Sequence, residues 1–194
     1  MSIKIFLIII ILVALTGGIF WIAASKPNPK KPSTNQPKKT QLTTTIAPAI
    51  TAVPLETVLM FDNLSSDASS KTYSLPIIIK AGANIVTAVQ LELSFDPKLL
   101  TNIAVLPGSF FKNPAILLNN IDAVNGKIYY AIGINPQGQG TKGENTLATL
   151  AFKTRSQVPQ TTTISFLPET LVTAEGQDQS VLKSAIPSQF VVGQ

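Results

Sequence analysis

Between Ile85 and Pro97 apolar and polar side chains alternate. Val89, Leu91, Leu93 and Phe95 fall on one face, and Gln90, Glu92 and Ser94 on the other. A period of two marks a β-strand with one buried and one wet face. Asp96-Pro97 ends it, because proline has no N–H to give to a ladder. The same texture recurs downstream. Strands are predicted over Val58–Phe61, Tyr73–Lys80, Leu99–Leu106, Ala115–Asn119, Lys127–Ile134, Thr146–Thr154 and Thr161–Phe166, with short final pieces at Val181-Leu182 and Phe190–Val192. Pro76 inside the second strand predicts an edge position or a bulge. Ala81–Asn84 and Val124-Asn125-Gly126-Lys127 read as turns, the latter because Asn-Gly tolerates positive φ. In Lys127–Ile134, Ile128, Tyr130, Ile132 and Ile134 share the inward face. No amphipathic helix interrupts the series. About nine short strands separated by turns predict an all-β fold, an antiparallel β-sandwich.

The first 55 residues break this pattern. Ile5 to Ala24 carries no charge and, at about 1.5 Å per residue, covers roughly the 30 Å of a bilayer core. Trp21 stands near one end, as interfacial aromatics do. A cleaved signal peptide with Ile22-Ala23-Ala24 at the cleavage site is the competing reading. The run exceeds the roughly 7–15 residues of a signal h-region, which favours an uncleaved anchor. Residues 26–55 are rich in Pro, Lys and Thr and predict a disordered, semi-stiff spacer. The expected organisation is therefore residues 1–25 as a transmembrane anchor, 26–55 as linker and 56–194 as the β domain.

Charge changes the picture twice. Lys4, Lys26, Lys30, Lys31, Lys38 and Lys39 stand before residue 56 with no acid among them, leaving nine basic against ten acidic side chains in the rest. The basic character belongs to the tail, and the domain has no footprint for nucleic acid. Five of these lysines follow the apolar run, which by the positive-inside tendency favours a cytoplasmic C-terminal side. The linker and the domain have the composition of surface-protein parts, and the expected placement is the cell membrane, single-pass, with the C-terminal domain extracellular.

The chain has no cysteine and no histidine. Disulfides, thiolate and imidazole metal sites and a Ser-His-Asp arrangement are thereby excluded. None of the ten acids stands in a recognisable two-carboxylate glycosidase context. Gly138–Gly143 lacks the spacing of a phosphate-binding loop. An enzyme is not expected, and neither is a cofactor. Asp62, Asn63 and Asp67, or Glu175 and Asp178, offer oxygens toward a structural calcium, although acids in such positions are ordinarily turn formers. Asp96 reads as the cap of its own turn.

Several segments together resemble a cohesin domain, the β-sandwich module of cellulosome scaffoldins. Ala88-Val89-Gln90-Leu91-Glu92-Leu93-Ser94-Phe95-Asp96-Pro97-Lys98-Leu99-Leu100 is similar to the family's early strand with its aromatic-Asp-Pro turn. Pro107-Gly108-Ser109-Phe110-Phe111 resembles the glycine-containing step after it. Gly126-Lys127-Ile128-Tyr129-Tyr130-Ala131 and Thr146-Leu147-Ala148-Thr149-Leu150-Ala151-Phe152-Lys153 resemble two later strands. The resemblance spans roughly residues 57–193. It implies a jelly-roll-like sandwich of about nine strands that does no chemistry and binds dockerins, small calcium-loaded helical modules. It also implies a partner-binding sheet face, for which the outward positions Lys127, Tyr129 and Ala131 and the neighbouring loop residue Asn119 are the candidates. The chain departs from scaffoldins in having one such domain behind its own anchor. The expected partner is a dockerin-like or other surface or secreted protein, with the N-terminal helix in the membrane. A surface-tethered carbohydrate-binding module is the alternative, disfavoured because Trp21 is the lone tryptophan and Tyr73, Tyr129 and Tyr130 the only tyrosines. A structural spacer within a larger complex is a third reading.

Overall fold

The computed structural model describes residues 55–193, and the anchor and linker expected over 1–55 lie outside that range apart from Leu55. Twelve strands build two sheets: β1 Thr57–Phe61, β2 Ser65–Asp67, β3 Thr72–Lys80, β4 Val86–Ser94, β5 Leu100–Pro107, β6 Ala115–Asp122, β7 Lys127–Gly133, β8 Glu144–Thr154, β9 Gln160–Phe166, β10 Leu171–Ala174, β11 Leu182–Ile186 and β12 Ser188–Val192. One sheet runs β11-β1-β3-β8-β5 with β2 beside β3, and the other β12-β9-β4-β7-β6 with β10 beside β4. The description is a β-sandwich, as the alternation requires, with more strands than the nine expected. The two with no counterpart among the predicted segments are β2 and β10, of three and four residues. β2 is exposed throughout and has no buried face to mark it in sequence. The pairing is antiparallel except between β1 and β11, which run parallel.

The organising strand falls where the alternation puts it. Leu91 and Leu93 of β4 are fully buried, Val89 nearly so, and Ile128, Tyr130 and Ile132 of β7 lie beside them. Leu75, Ile77, Leu150 and Phe152 close the core from the other sheet. Phe61 reaches Phe166 at 4.8 Å between ring centroids, and Tyr73 stacks on Phe152 at 5.7 Å. The Tyr73 hydroxyl accepts the Gly193 N–H at 2.9 Å and pins the end of the chain.

Pro76 departs from the edge position expected of it, because β3 lies between β1 and β8. Its carbonyl accepts the Asp62 N–H at 2.9 Å just where β1 has ended. The nitrogen and carbonyl of a strand residue face the same side, so the missing N–H falls in the gap between β1 and β2, where no ladder needs it. Pro76 itself pairs regularly with Thr149; the register against β8 shifts only beyond it, between Ile77 and Ile78, where the unpaired residue is Leu147 of β8.

The turns follow their residues. Asp96 Oδ1 accepts the Lys98 N–H at 2.8 Å, which makes it the cap expected. The four residues joining β6 to β7 end at Gly126, whose φ of 65° suits glycine. A side chain there would strike the Phe95 carbonyl and come within 2.8 Å of Pro97 Cδ. The hairpin loop is thus seated on the end of β4.

Candidate partner-binding face

The site grows out of the register of β4, β7 and β6. Residues opposite one another in neighbouring strands share a face. Lys127 lies beside Ser94 and Asp122, Tyr129 beside Glu92 and Asn120, and Ala131 beside Gln90 and Leu118. These are the outward rows, because the alternating positions Ile128, Tyr130 and Ile132 are fully buried. Lys127, Tyr129 and Ala131 therefore stand on one outer face. Asn119 does not join them. It is a strand residue inside β6 rather than a loop residue, and its register partner is the inward Tyr130. It is exposed because β6 ends the sheet. The neighbour that shares the outer face is Asn120.

The outer rows extend beyond the residues singled out in sequence. β10 pairs with β4 so that Leu171 meets Gln90 and Thr173 meets Ala88. One row across four strands thus reads Leu171, Gln90, Ala131, Leu118, and the next reads Thr173, Ala88, Gly133, Ala115. Leu171 and Leu118 are each 43% exposed, at opposite ends of the first row. Between them lie Gln90 and Ala131, and the second row is built from small residues. A Cβ on Gly133 would come within 2.9 Å of Ala88 Cβ, so the face at that point is already closed by its neighbour. The small residues of the second row leave room for a partner to approach the backbone closely there.

The polar centre is held in place from behind. Gln90 donates its amide to Glu92 Oε1 at 3.0 Å. The buried Thr170 hydroxyl accepts the Glu92 N–H and donates to the Glu92 carbonyl, both at 3.1 Å. Leu167 N–H reaches the same carbonyl at 2.7 Å. The segment leading into β10 is thereby clamped onto β4, which sets Leu171 in its row. Asp122 accepts the side-chain amide of Asn125 at 2.7 Å and the backbone N–H groups of Asn125 and Val124. The Asn125 amide, above all, holds its carboxyl below the usual aspartate range, and Lys127 contributes a smaller pull. Lys127 is thus next to an anion already engaged by its own hairpin, with its ammonium open to solvent.

β10 is four residues long, too short to establish an alternation, so Leu171 was not placed from the sequence. Leu118 sits beyond a bulge between Ile116 and Leu118 that shifts the face of every later residue in β6. Gln90 and Glu92 were legible as wet positions of β4, and only their register against Tyr129 and Ala131 joins them to the site.

Of the acids considered for calcium, Asp62 and Asp67 bond within their own turns, and Glu175 bonds to a separate loop. Asp62 accepts the Asn63 N–H, and Asp67 accepts both hydroxyls of Ser69 and Ser70. The Ser69 hydroxyl foremost lowers the Asp67 carboxyl to about 2. Glu175 accepts the Gly140 N–H at 3.2 Å. Among the described residues no three acids gather into a group able to hold a metal ion. Tyr129 is the one aromatic on the outward positions of β4, β7 and β6, so these strands offer no row of rings for sugar stacking.

The described residues form an all-β sandwich of two sheets with a wide outer face on β10, β4, β7 and β6. The family model of the cohesin domain matches residues 60–192, and the chain belongs to that family. Solved structures share the fold at low identity. A type I cohesin–dockerin complex of Clostridium thermocellum, Coh-OlpC with Doc435, superposes with a TM-score of 0.57 at 14% identity, covering 70% of this chain and 92% of that one. The third cohesin of ScaC from Acetivibrio cellulolyticus, in complex with the ScaB dockerin, gives 0.57 at 18% identity over 71% and 99% of the two chains. A non-cellulosomal cohesin from the archaeon Archaeoglobus fulgidus gives 0.52 at 15% over 70% and 90%. Among curated proteins, none matches the chain significantly.

Proposed function

We propose that this chain is a non-catalytic, membrane-tethered cohesin that presents the outer face of β10, β4, β7 and β6 to a dockerin-like module on another protein. The observation that carries the reading is the row Leu171, Gln90, Ala131, Leu118, with exposed apolar ends on either side of Gln90 and Ala131 and a second row of small residues beside it, on a cohesin fold. Exposed apolar groups of this kind gain on burial against a partner. Tyr129 supplies an amphipathic contact at the centre, and Lys127 an open cation at the lower rim. Cohesins of this fold are solved in complex with dockerins, which supports a partner of the same class. The apolar run Ile5–Ala24 supplies the tether, and residues 26–55 the spacer that lifts the domain from the surface.

Immobilised residues 56–194, exposed to secreted and membrane proteins of the source cell, test the partner. The expected result is capture of a dockerin-bearing protein that is released by a calcium chelator. Capture only of proteins lacking that module would overturn the partner class. Protease shaving of intact cells tests the placement. The domain is expected to be lost on shaving, and its survival until lysis would put it inside.

A further inference from the structure

A cleft of about 350 Å³ opens at the end of the sandwich where β3 starts and β8 finishes, and none of its lining residues lies on β10, β4, β7 or β6. Tyr73 forms part of its wall and is 8% exposed. The Tyr73 hydroxyl accepts the Gly193 N–H, but its own proton finds no acceptor among the described residues. A phenol buried to this degree ordinarily uses its donor. Thr154 and Ser156 on the same wall do so, donating to the Leu99 and Val158 carbonyls. Lys71 marks the cleft independently. It closes the turn between β2 and β3 with a φ of 52°, the left-handed region that favours glycine. A lysine held in a strained backbone conformation points to a use for its side chain. Lys153 of β8 brings a second ammonium to the wall, and among the described residues neither lysine is in an ion pair. The one acid on the wall, Asp67, is already engaged: Oδ1 accepts the Ser69 N–H and hydroxyl, and Oδ2 the Ser70 hydroxyl. Two ammonium groups against one engaged carboxylate leave the cleft with a net positive charge.

We propose that this cleft is a binding site for a small oxyanion, a phosphate or a carboxylate, whose oxygen accepts the Tyr73 proton while Lys71 and Lys153 balance its charge. The chemistry of the wall selects the ligand. The phenol and the two ammonium groups are all donors, and two of the three are cationic. A charged acceptor matches all three at once, whereas a neutral ligand leaves the lysines unmatched. At about 350 Å³ the cleft has room for an oxyanion carried on a small polar body, toward which Ser66 and Gln157 offer a hydroxyl and a carboxamide. The site shares no residue with the outer rows around Tyr129, so it does not depend on the dockerin reading.

The β domain serves for the test, because its core and all twelve strands lie within residues 57–192. Residues 56–194, labelled with nitrogen-15, are titrated with inorganic phosphate and separately with malonate, at constant ionic strength so that screening does not change. The expected result is a saturable shift of the Lys71 amide and of the Gly193 amide, which bonds to the Tyr73 oxygen, half complete below about 50 mM of at least one anion. A response to one anion alone supports the site and identifies the group it takes. Lys71→Gly separates binding from folding. Glycine suits a φ of 52°, so the thermal midpoint is expected to hold or rise while the affinity falls roughly fivefold or more. Lys183→Gln, on β11 and outside the cleft, is expected to bind as the wild type does. No saturable shift with either anion overturns the proposal. So does a Lys71→Gly variant that binds as tightly as the wild type, or a Lys183→Gln variant weakened equally, which would reduce the effect to net charge.

Discussion

Replacing Gly126 by alanine isolates how much of the fold depends on the β6–β7 loop resting against β4. Two costs enter. The first is conformational: φ is 65°, and the left-handed region costs an L-residue about 1–2 kcal/mol, partly offset by about 0.4–1 kcal/mol of lost unfolded-state entropy. The second is steric. The new methyl would meet the Phe95 carbonyl and, at 2.8 Å, Pro97 Cδ, both held by a turn with little freedom to move. The Phe95 N–H also donates to the Gly126 carbonyl at 2.9 Å, and any shift that relieves the clash stretches that bond. Overpacking of this sort costs about 1–3 kcal/mol. Gly176 provides the control. Its φ is 69°, yet a methyl there would find nothing within 4 Å. Gly176→Ala therefore reads the conformational cost alone, about 0.5–1 kcal/mol, and Gly126→Ala the sum, about 2–4 kcal/mol. Urea denaturation of residues 56–194 measures both, with unchanged slopes showing that the unfolded state is the same. Equal midpoints for the two variants would refute the claim that the loop is sterically seated on β4.

Other expectations follow from the core. The Tyr130 and Thr162 hydroxyls are buried without a hydrogen-bond partner, so Tyr130→Phe and Thr162→Val should leave stability unchanged or raise it by about 1 kcal/mol, measured by the same denaturation. Burial pushes the Tyr130 phenol up to about 12. Its folded-state pKa is the higher one, so the protonated form favours the fold below pH 10, and that contribution falls by about 1.4 kcal/mol per pH unit between about 10 and 12. The alkaline loss should be smaller in Tyr130→Phe, read by unfolding midpoints across that window. Tyr73→Phe removes the acceptor of the buried Gly193 N–H and should cost about 1–3 kcal/mol, the price of an orphaned donor. Leu91→Ala, at the fully buried centre of β4, should cost about 2–5 kcal/mol.

Strands with a buried and a wet face were legible because alternation is set by side-chain direction alone. β4, β7 and β8 appear where Leu91, Ile132 and Leu150 placed them. What was not legible depends on partners distant in sequence. β1 and β11 pair in parallel across more than a hundred residues, and nothing local in Thr57–Phe61 marks that neighbour. The candidate face shows the same division. Tyr129 and Ala131 were readable as outward from the pattern within β7. Asn119 was read as a loop residue and lies within β6, where the bulge at Leu117 sets it opposite the inward Tyr130, and Leu171 was missed because β10 is too short to show a period. A site spread across four strands is a property of register, which a single sequence carries only weakly.

The central claim is that this face binds a dockerin. The most direct measurement is isothermal titration of residues 56–194 with calcium-loaded dockerin modules from the same cell, repeated with Ala131→Glu, which plants a charge in the middle of the row on a half-buried but outward position. Saturable binding of at least one dockerin, weakened 100-fold or roughly 2.7 kcal/mol or more by Ala131→Glu with the fold intact, is the result expected. Binding that Ala131→Glu leaves untouched, or no binding to any dockerin of the cell, would contradict it.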